Sequence, residues 1–192
     1  MYNLKIIVAS TRPGRKGPSV ASWIYELAKK RSAFNVEVLD LVVIDLPFLD
    51  EPKHPRFKDY TQEHTKNWSR VIDASDAFII VTPEYNFGYP PALKNALDFL
   101  YQEWNHKPVA FVSYGGVAAG TRAVQQLRQV VNAQKMMAVT ESVNIPFFAK
   151  HIDGQEKFNS DDALDHSAKM MLDELEKWTA ALKPMRIANS PM

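Results

Sequence analysis

The sequence predicts a doubly wound α/β fold of three layers, with a five-stranded parallel sheet between two layers of helices. Three observations lead there. Apolar runs of strand length recur along the chain, segments with helical spacing lie between them, and the two kinds alternate throughout. The runs are Leu4–Ala9, Val36–Leu41, Ala77–Val81, Val109–Val112 and Met136–Val139. Valine and isoleucine are frequent in the first three, and the runs read as parallel strands covered by helices on both sides.

The first run leads into a helix carrying Val20, Ile24, Leu27 and Ala28 on one stripe. The second is followed by Pro47–Lys58, rich in proline and charge, which reads as a long solvated connection rather than a lid or partner-binding arm. Helical spacing resumes at Trp68, Val71 and Ile72. It returns after the third run at Leu93, Ala96, Leu97 and Leu100, and after the fourth at Val124, Leu127 and Val131. A loop with Pro146 and Gly154 precedes the last helix. That helix opens at Asn159-Ser160-Asp161-Asp162, where capping side chains and acid charge suit an N-terminus, and continues through Leu164, Ala168, Met171, Leu175, Trp178 and Leu182. Residues 1–182 are expected to form one domain and residues 183–192 a frayed tail.

At 192 residues and 46% hydrophobic, the chain can bury one full core. Lys and Arg total 23 against 22 Asp and Glu, so a nucleic-acid or other polyanion partner is not expected and any ligand charge must be met locally. The absence of cysteine excludes disulfides, thiolate catalysis, thiolate-ligated clusters and zinc ribbons; electron transfer would need an organic cofactor. His54, His64, His106, His151 and His166 lack metal-ligand spacing and read as surface residues, so no metal is expected. No leader is recognisable, and no apolar run approaches the roughly 18–20 residues of a membrane helix, so a soluble cytoplasmic protein is expected.

A sheet of this kind binds ligands beyond the carboxyl ends of its strands, at the switch point. That directs attention to three loops. Ser10–Ser19 brings hydroxyls, helix-start amides and three cations together, the chemistry of a phosphate monoester site, although a solvated basic loop remains open as the alternative. Thr82–Pro91 sets prolines among aromatics and amides suited to a flat heteroaromatic ring; a rigid turn with surface aromatics is the alternative. Ser113–Gly120 carries glycines that let backbone amides approach a ligand, or else form a flexible turn. Their recurrence at neighbouring strand ends favours one shared site.

The stretches STRPGRKGPSVASWI, TPEYNFGYPPALKNALDFLY and KPVAFVSYGG resemble the NADPH-dependent FMN reductase family of the flavodoxin-like fold, whose members include quinone, chromate and azo-dye reductases. The resemblance spans most of residues 4–145, and the P-E-Y-N…P-x-x-L-K-N-A-x-D string is its most specific part. It implies that Ser10, Arg12, Gly17, Pro18, Ser19 and Val20 surround an FMN phosphate. Pro83, Glu84, Tyr85 and Asn86 would flank the isoalloxazine, with Tyr85 and Asn86 orienting it, and Ser113, Gly115 and Gly116 its pyrimidine edge. Gly88 stands where a Ser is common, and the first loop is longer than the family's short form.

The activity so implied is transfer of a hydride from NADPH or NADH to FMN, then of two electrons to a quinone-like or other small acceptor, by a ping-pong mechanism with no dedicated acid–base residue. A homodimer or homotetramer is implied too, because the family builds its acceptor pocket across a subunit boundary. The crowding of Tyr85, Phe87, Tyr89, Tyr101 and Trp104 agrees with this. Two alternatives stand beside it: a flavodoxin-type carrier of single electrons, and a flavin-sensing regulator that binds a protein partner.

Overall fold

The computed structural model describes residues 1–188. Strands β1 (Tyr2–Val8), β2 (Phe34–Asp40), β3 (Ala77–Pro83), β4 (Pro108–Tyr114) and β5 (Met137–Ile145) pair in parallel, in the order β2-β1-β3-β4-β5. They alternate with helices α1 (Gly17–Lys29), α2 (Leu41–Ile44), α3 (Glu63–Asp73), α4 (Pro91–Asp98), α5 (Thr121–Ala133) and α6 (Asp162–Ala188). The chain winds outward from β1 to β2, then returns to place β3 on the other side of β1; the switch point lies between those two strands.

Every residue of β3 and β4 is buried, which explains their unbroken apolar character. Val20, Ala21 and Ile24 of α1 and Leu164, Ala168, Met171 and Leu175 of α6 close one face of the sheet. Trp68 and Ile72 of α3, Leu93 and Leu97 of α4, and Val124, Leu127 and Val131 of α5 close the other. The stripes read from helical spacing are therefore the faces that the helices bury.

Four details differ from the sequence expectation. Strand β5 runs on to Ile145, because an edge strand alternates buried Val139, Val143 and Ile145 with more exposed polar residues and so loses the apolar signature midway. The last helix continues past Leu182 to Ala188, which corrects the frayed tail for residues 183–188; residues 189–192 lie outside the described residues. Lys183 and Arg186 bind Asp76, with an Arg186 Nη2 to Asp76 Oδ1 distance of 2.6 Å. The Pro47–Lys58 connection is pinned: Asn95 of α4 accepts from the Leu49 N–H at 3.0 Å and donates to the Pro47 carbonyl at 2.6 Å. Trp104 is fully buried against Trp68 and Phe78, so core packing accounts for it.

Of the histidines, His54 and His166 are exposed, while His64, His106 and His151 are half-buried. Among the described residues no group of three or more His, Cys, Asp or Glu is arranged to hold a metal, and no helix is long and apolar enough to cross a membrane.

Candidate functional site

Parallel register brings the three loops to one edge: Val8 of β1 pairs with Val81 of β3, and Thr82 of β3 with Ser113 of β4. In the first loop, α1 begins at Gly17 with no side-chain cap and no acid in its first turn, and Pro18 follows. The Gly17 and Ser19 N–H groups make no hydrogen bond among the described residues, so the positive end of α1 faces outward with free donors. A Cβ at Gly17 would stand 2.6 Å from Ser10 Oγ and 3.0 Å from Tyr114 Oη, so only glycine fits there.

The three cations of this loop do not act together, which corrects the expectation that they converge. Arg15 binds both carboxylate oxygens of Asp40 at 2.6 Å and the Ser10 carbonyl at 2.9 Å, tying the loop to the end of β2. Partial burial works against the Asp40 charge, but Arg15 and the Val42 N–H outweigh it and hold the carboxyl below its usual range. Lys16 pairs with Glu156. Arg12 is exposed, and its side chain has no ion pair or hydrogen bond among the described residues; its guanidinium lies 6.0 Å from the Tyr85 ring centroid.

Ser10 is completely buried and accepts a hydrogen bond from the Tyr114 hydroxyl at 3.2 Å. Burial pushes that phenol up to about 12, so it remains a neutral donor. Val20 turns its side chain into the core, while Pro18 is exposed and Ser19 half-buried at the loop surface. Among the residues expected around a phosphate, Arg12, Ser19 and the α1 amides are thus presented outward, and Ser10 and Val20 lie beneath them.

In the second loop, Pro83 ends β3 and is buried, and Tyr85 to Gly88 closes a tight turn. The Tyr85 N–H donates to the Gly88 carbonyl at 2.8 Å and the Gly88 N–H returns to Tyr85 at 2.9 Å. Asn86 and Phe87 both take positive φ, 49° and 72°, the pattern of a two-residue hairpin turn. Asparagine tolerates this conformation, but a bulky phenylalanine is strained in it, and such strain persists where neighbours fix the backbone. Here the neighbour is Arg122 of α5, whose guanidinium sits 3.9 Å from the Phe87 ring centroid. Glu84 pairs with the same arginine and accepts its backbone N–H at 3.1 Å. The Glu84 carboxylate is therefore engaged with the start of α5, while Tyr85 is half-buried and Asn86 exposed.

In the third loop Ser113 is buried and donates to Asn144 Oδ1 at 3.0 Å, and the Gly115 N–H donates to the Ile145 carbonyl at 3.2 Å. The N–H groups of Gly116 and Val117 have no acceptor among the described residues, and a Cβ at Gly116 would meet nothing within 4 Å. Gly120 is the conformationally demanding glycine: its φ is +79°, and a Cβ would stand 2.9 Å from that of Ser113. The site thus rests on Asp40, Tyr114, Arg122 and Glu156, which sequence reading missed. No spacing rule pairs residues so far apart in the chain, although an acid closing the second run and an arginine just after the third loop were visible.

Strand order 2-1-3-4-5 sets the crevice of a flavodoxin-like fold between β1 and β3, where the first two loops stand, and the chain is of that class. Within the class the assignment narrows further. Residues 2–150 match the family described as NADPH-dependent FMN reductase, and the chain belongs to that family. It is 47% identical over 133 residues to an NAD(P)H-dependent FMN reductase of Schizosaccharomyces pombe, covering 68% of this chain and 66% of that one. It is 32% identical over 135 residues to a quinone reductase of Pseudomonas putida, covering 67% of this chain and 69% of that one. In structure it is similar to the flavoenzyme NAD(P)H:(acceptor) oxidoreductase FerB of Paracoccus denitrificans, with a TM-score of 0.76 at 21% identity, covering 95% of this chain and 99% of that one. That last likeness concerns the fold.

Proposed function

We propose that this chain, acting as one domain through residue 182 and on to the end of α6, binds FMN at the three-loop edge and passes electrons from NADPH or NADH to a small quinone-like acceptor. The observation that carries the reading is Arg12: the first loop presents one cation without an acidic partner among the described residues, beside an uncapped helix start whose Gly17 and Ser19 N–H groups are free. This donor set suits a phosphate monoester. The free Gly116 and Val117 amides suit the carbonyl-rich edge of a flavin, so the residues present fit the group.

Bound FMN supplies two-electron transfer between donor and acceptor. The chain's part is to hold and orient. Arg12, Ser19 and the α1 amides hold the phosphate, and Arg15 on Asp40 keeps their loop in place. The Tyr85–Gly88 turn, braced by Glu84 and Arg122, flanks the ring, and Tyr85 and Asn86 orient it. Ser113 fixes the third loop through Asn144. No side chain at this edge is required as a general acid or base.

Donor and acceptor share one flanked face in this reading and exclude each other. Purified protein should show oxidised-flavin absorption that bleaches in one two-electron step with NADPH, and double-reciprocal plots with a quinone should be parallel. Intersecting lines would argue for two separate sites, and loss of the flavin on dialysis with no response to NADPH would refute the enzyme. A homodimer or homotetramer completes the reading, supported by the exposed side chains Phe48 (88%) and Phe87 (60%). Sedimentation as a single species of monomer mass would overturn that part. A cytoplasmic location, where NADPH and NADH are available as donors, fits the same activity.

A further inference from the structure

The connection from β5 to α6 received no role from the sequence, yet it grips the third loop by its backbone. The Phe147 N–H donates to the Gly116 carbonyl at 3.0 Å and the Phe148 N–H to the Gly115 carbonyl at 3.1 Å. Two consecutive amides can reach two consecutive carbonyls here because Phe147 takes φ +48° and ψ +42°, a left-handed conformation that is strained for a bulky residue. The Phe147 ring does not account for that strain, since it is half exposed. Phe148 fixes the other end: its ring packs edge-on against Tyr114 at 5.2 Å, and the Tyr114 hydroxyl bonds Ser10 under the first loop.

The consequence follows from the planar trans peptide, in which C=O and N–H point in opposite directions. The Gly115 carbonyl shares a peptide with the Gly116 N–H, and the Gly116 carbonyl with the Val117 N–H. Pulling both carbonyls toward the β5–α6 connection turns both N–H groups away from it. Both belong to the third-loop amides that lack acceptors among the described residues, as do those of Ala118 and Gly120, whereas the Gly115 N–H is already spent on Ile145. In the sheet order β5 lies on one side of β4 and β3, which carries the Tyr85–Gly88 turn, on the other; the Gly115 N–H and carbonyl both bond toward the β5 side.

Resting on the FMN reading above, we propose that Phe147 and Phe148 are positioning residues, whose main-chain N–H groups aim the Gly116 and Val117 amides at the flavin edge that gains negative charge on reduction. The left-handed Phe147 backbone is then the device that sets how strongly the site favours the reduced cofactor.

The test compares reduction potentials of the FMN-loaded protein. Phe147→Pro removes the donor to Gly116 and forces φ to about −65°, undoing the clamp. Phe147→Gly keeps the donor and accepts the left-handed conformation, while removing the ring. The proline variant should lose about tenfold in its preference for reduced over oxidised flavin, a shift of about 30 mV to more negative potential for a two-electron couple. The glycine variant should match the wild type. Should the proline variant not fold, a backbone ester at position 147, which removes the N–H alone, takes its place with the same expected direction. In the wild type, FMN binding should also slow hydrogen exchange at the Gly116 and Val117 amides. An unshifted potential in a variant that still binds FMN, an equal shift in Phe147→Gly, or unprotected amides would overturn the inference while leaving the FMN reading intact. Wild-type protein that takes up no FMN would overturn both.

Discussion

Replacing Arg12 with alanine tests the phosphate site most directly, because structure and magnitude can be set side by side. Of the three cations in the first loop, Arg15 is held bidentately by Asp40 and Lys16 by Glu156, which leaves Arg12 as the cation with charge to offer. A charge-assisted hydrogen bond is worth roughly 1.5–3 kcal/mol, and the exposure of Arg12 to solvent argues against more than that range. At about 1.4 kcal/mol per decade, Arg12→Ala should weaken FMN binding by about one to two decades. Thermal stability should hold, since nothing in the fold leans on this side chain beyond the 6.0 Å approach to Tyr85. The assay is titration of apoprotein by flavin fluorescence quenching, run in parallel with riboflavin, which has no phosphate. Riboflavin affinity should be the same in both proteins. An unchanged FMN affinity, or an equal loss for riboflavin, would remove Arg12 from the phosphate site.

The remaining predictions concern orientation and pH. Tyr85→Ala should slow reduction of the bound flavin by up to ~10²-fold through misplacement while FMN affinity falls far less, checked by stopped-flow absorbance and titration together. Burial opposes the Glu51 charge, but the Thr61 and Gln62 amides outweigh it and draw its carboxyl down from 4.5 to about 2. A lowered carboxyl stabilises above its unfolded value and is lost as pH falls from about 4.5 toward 2, so Glu51→Gln should flatten acid unfolding in that window. Burial pushes Lys107 down to about 7, so between about 7 and 10.5 the unfolded chain binds a proton that the folded one does not. Stability to urea should rise with pH across that span, and Lys107→Met should abolish the rise.

How much was legible follows from where each signal is kept. Strands β1 and β3 could be read because burial on both faces writes itself locally as an apolar run, whereas the second half of β5 is an edge strand and carries no such run. The helices could be read from their stripes, but the last turns of α6 could not: Lys183 and Arg186 resemble a solvated tail until Asp76, more than a hundred residues away, is brought beside them. The candidate site divides in the same way. Loops after β1, β3 and β4 were identifiable because topology alone puts them at one edge. Which groups within them remain free for a ligand was not identifiable, because that depends on subtraction by distant residues. Asp40 takes Arg15, Glu156 takes Lys16, Arg122 takes Glu84, Ile145 takes the Gly115 amide, and Tyr114 with Gly17 closes over Ser10. What survives the subtraction is Arg12, Ser19, the α1 amides, Tyr85, Asn86 and the Gly116–Val117 pair, a smaller set than sequence offers. Substitutions at the surviving groups should therefore change flavin affinity or potential at nearly constant stability, while substitutions at the subtracting partners should move stability and flavin binding together.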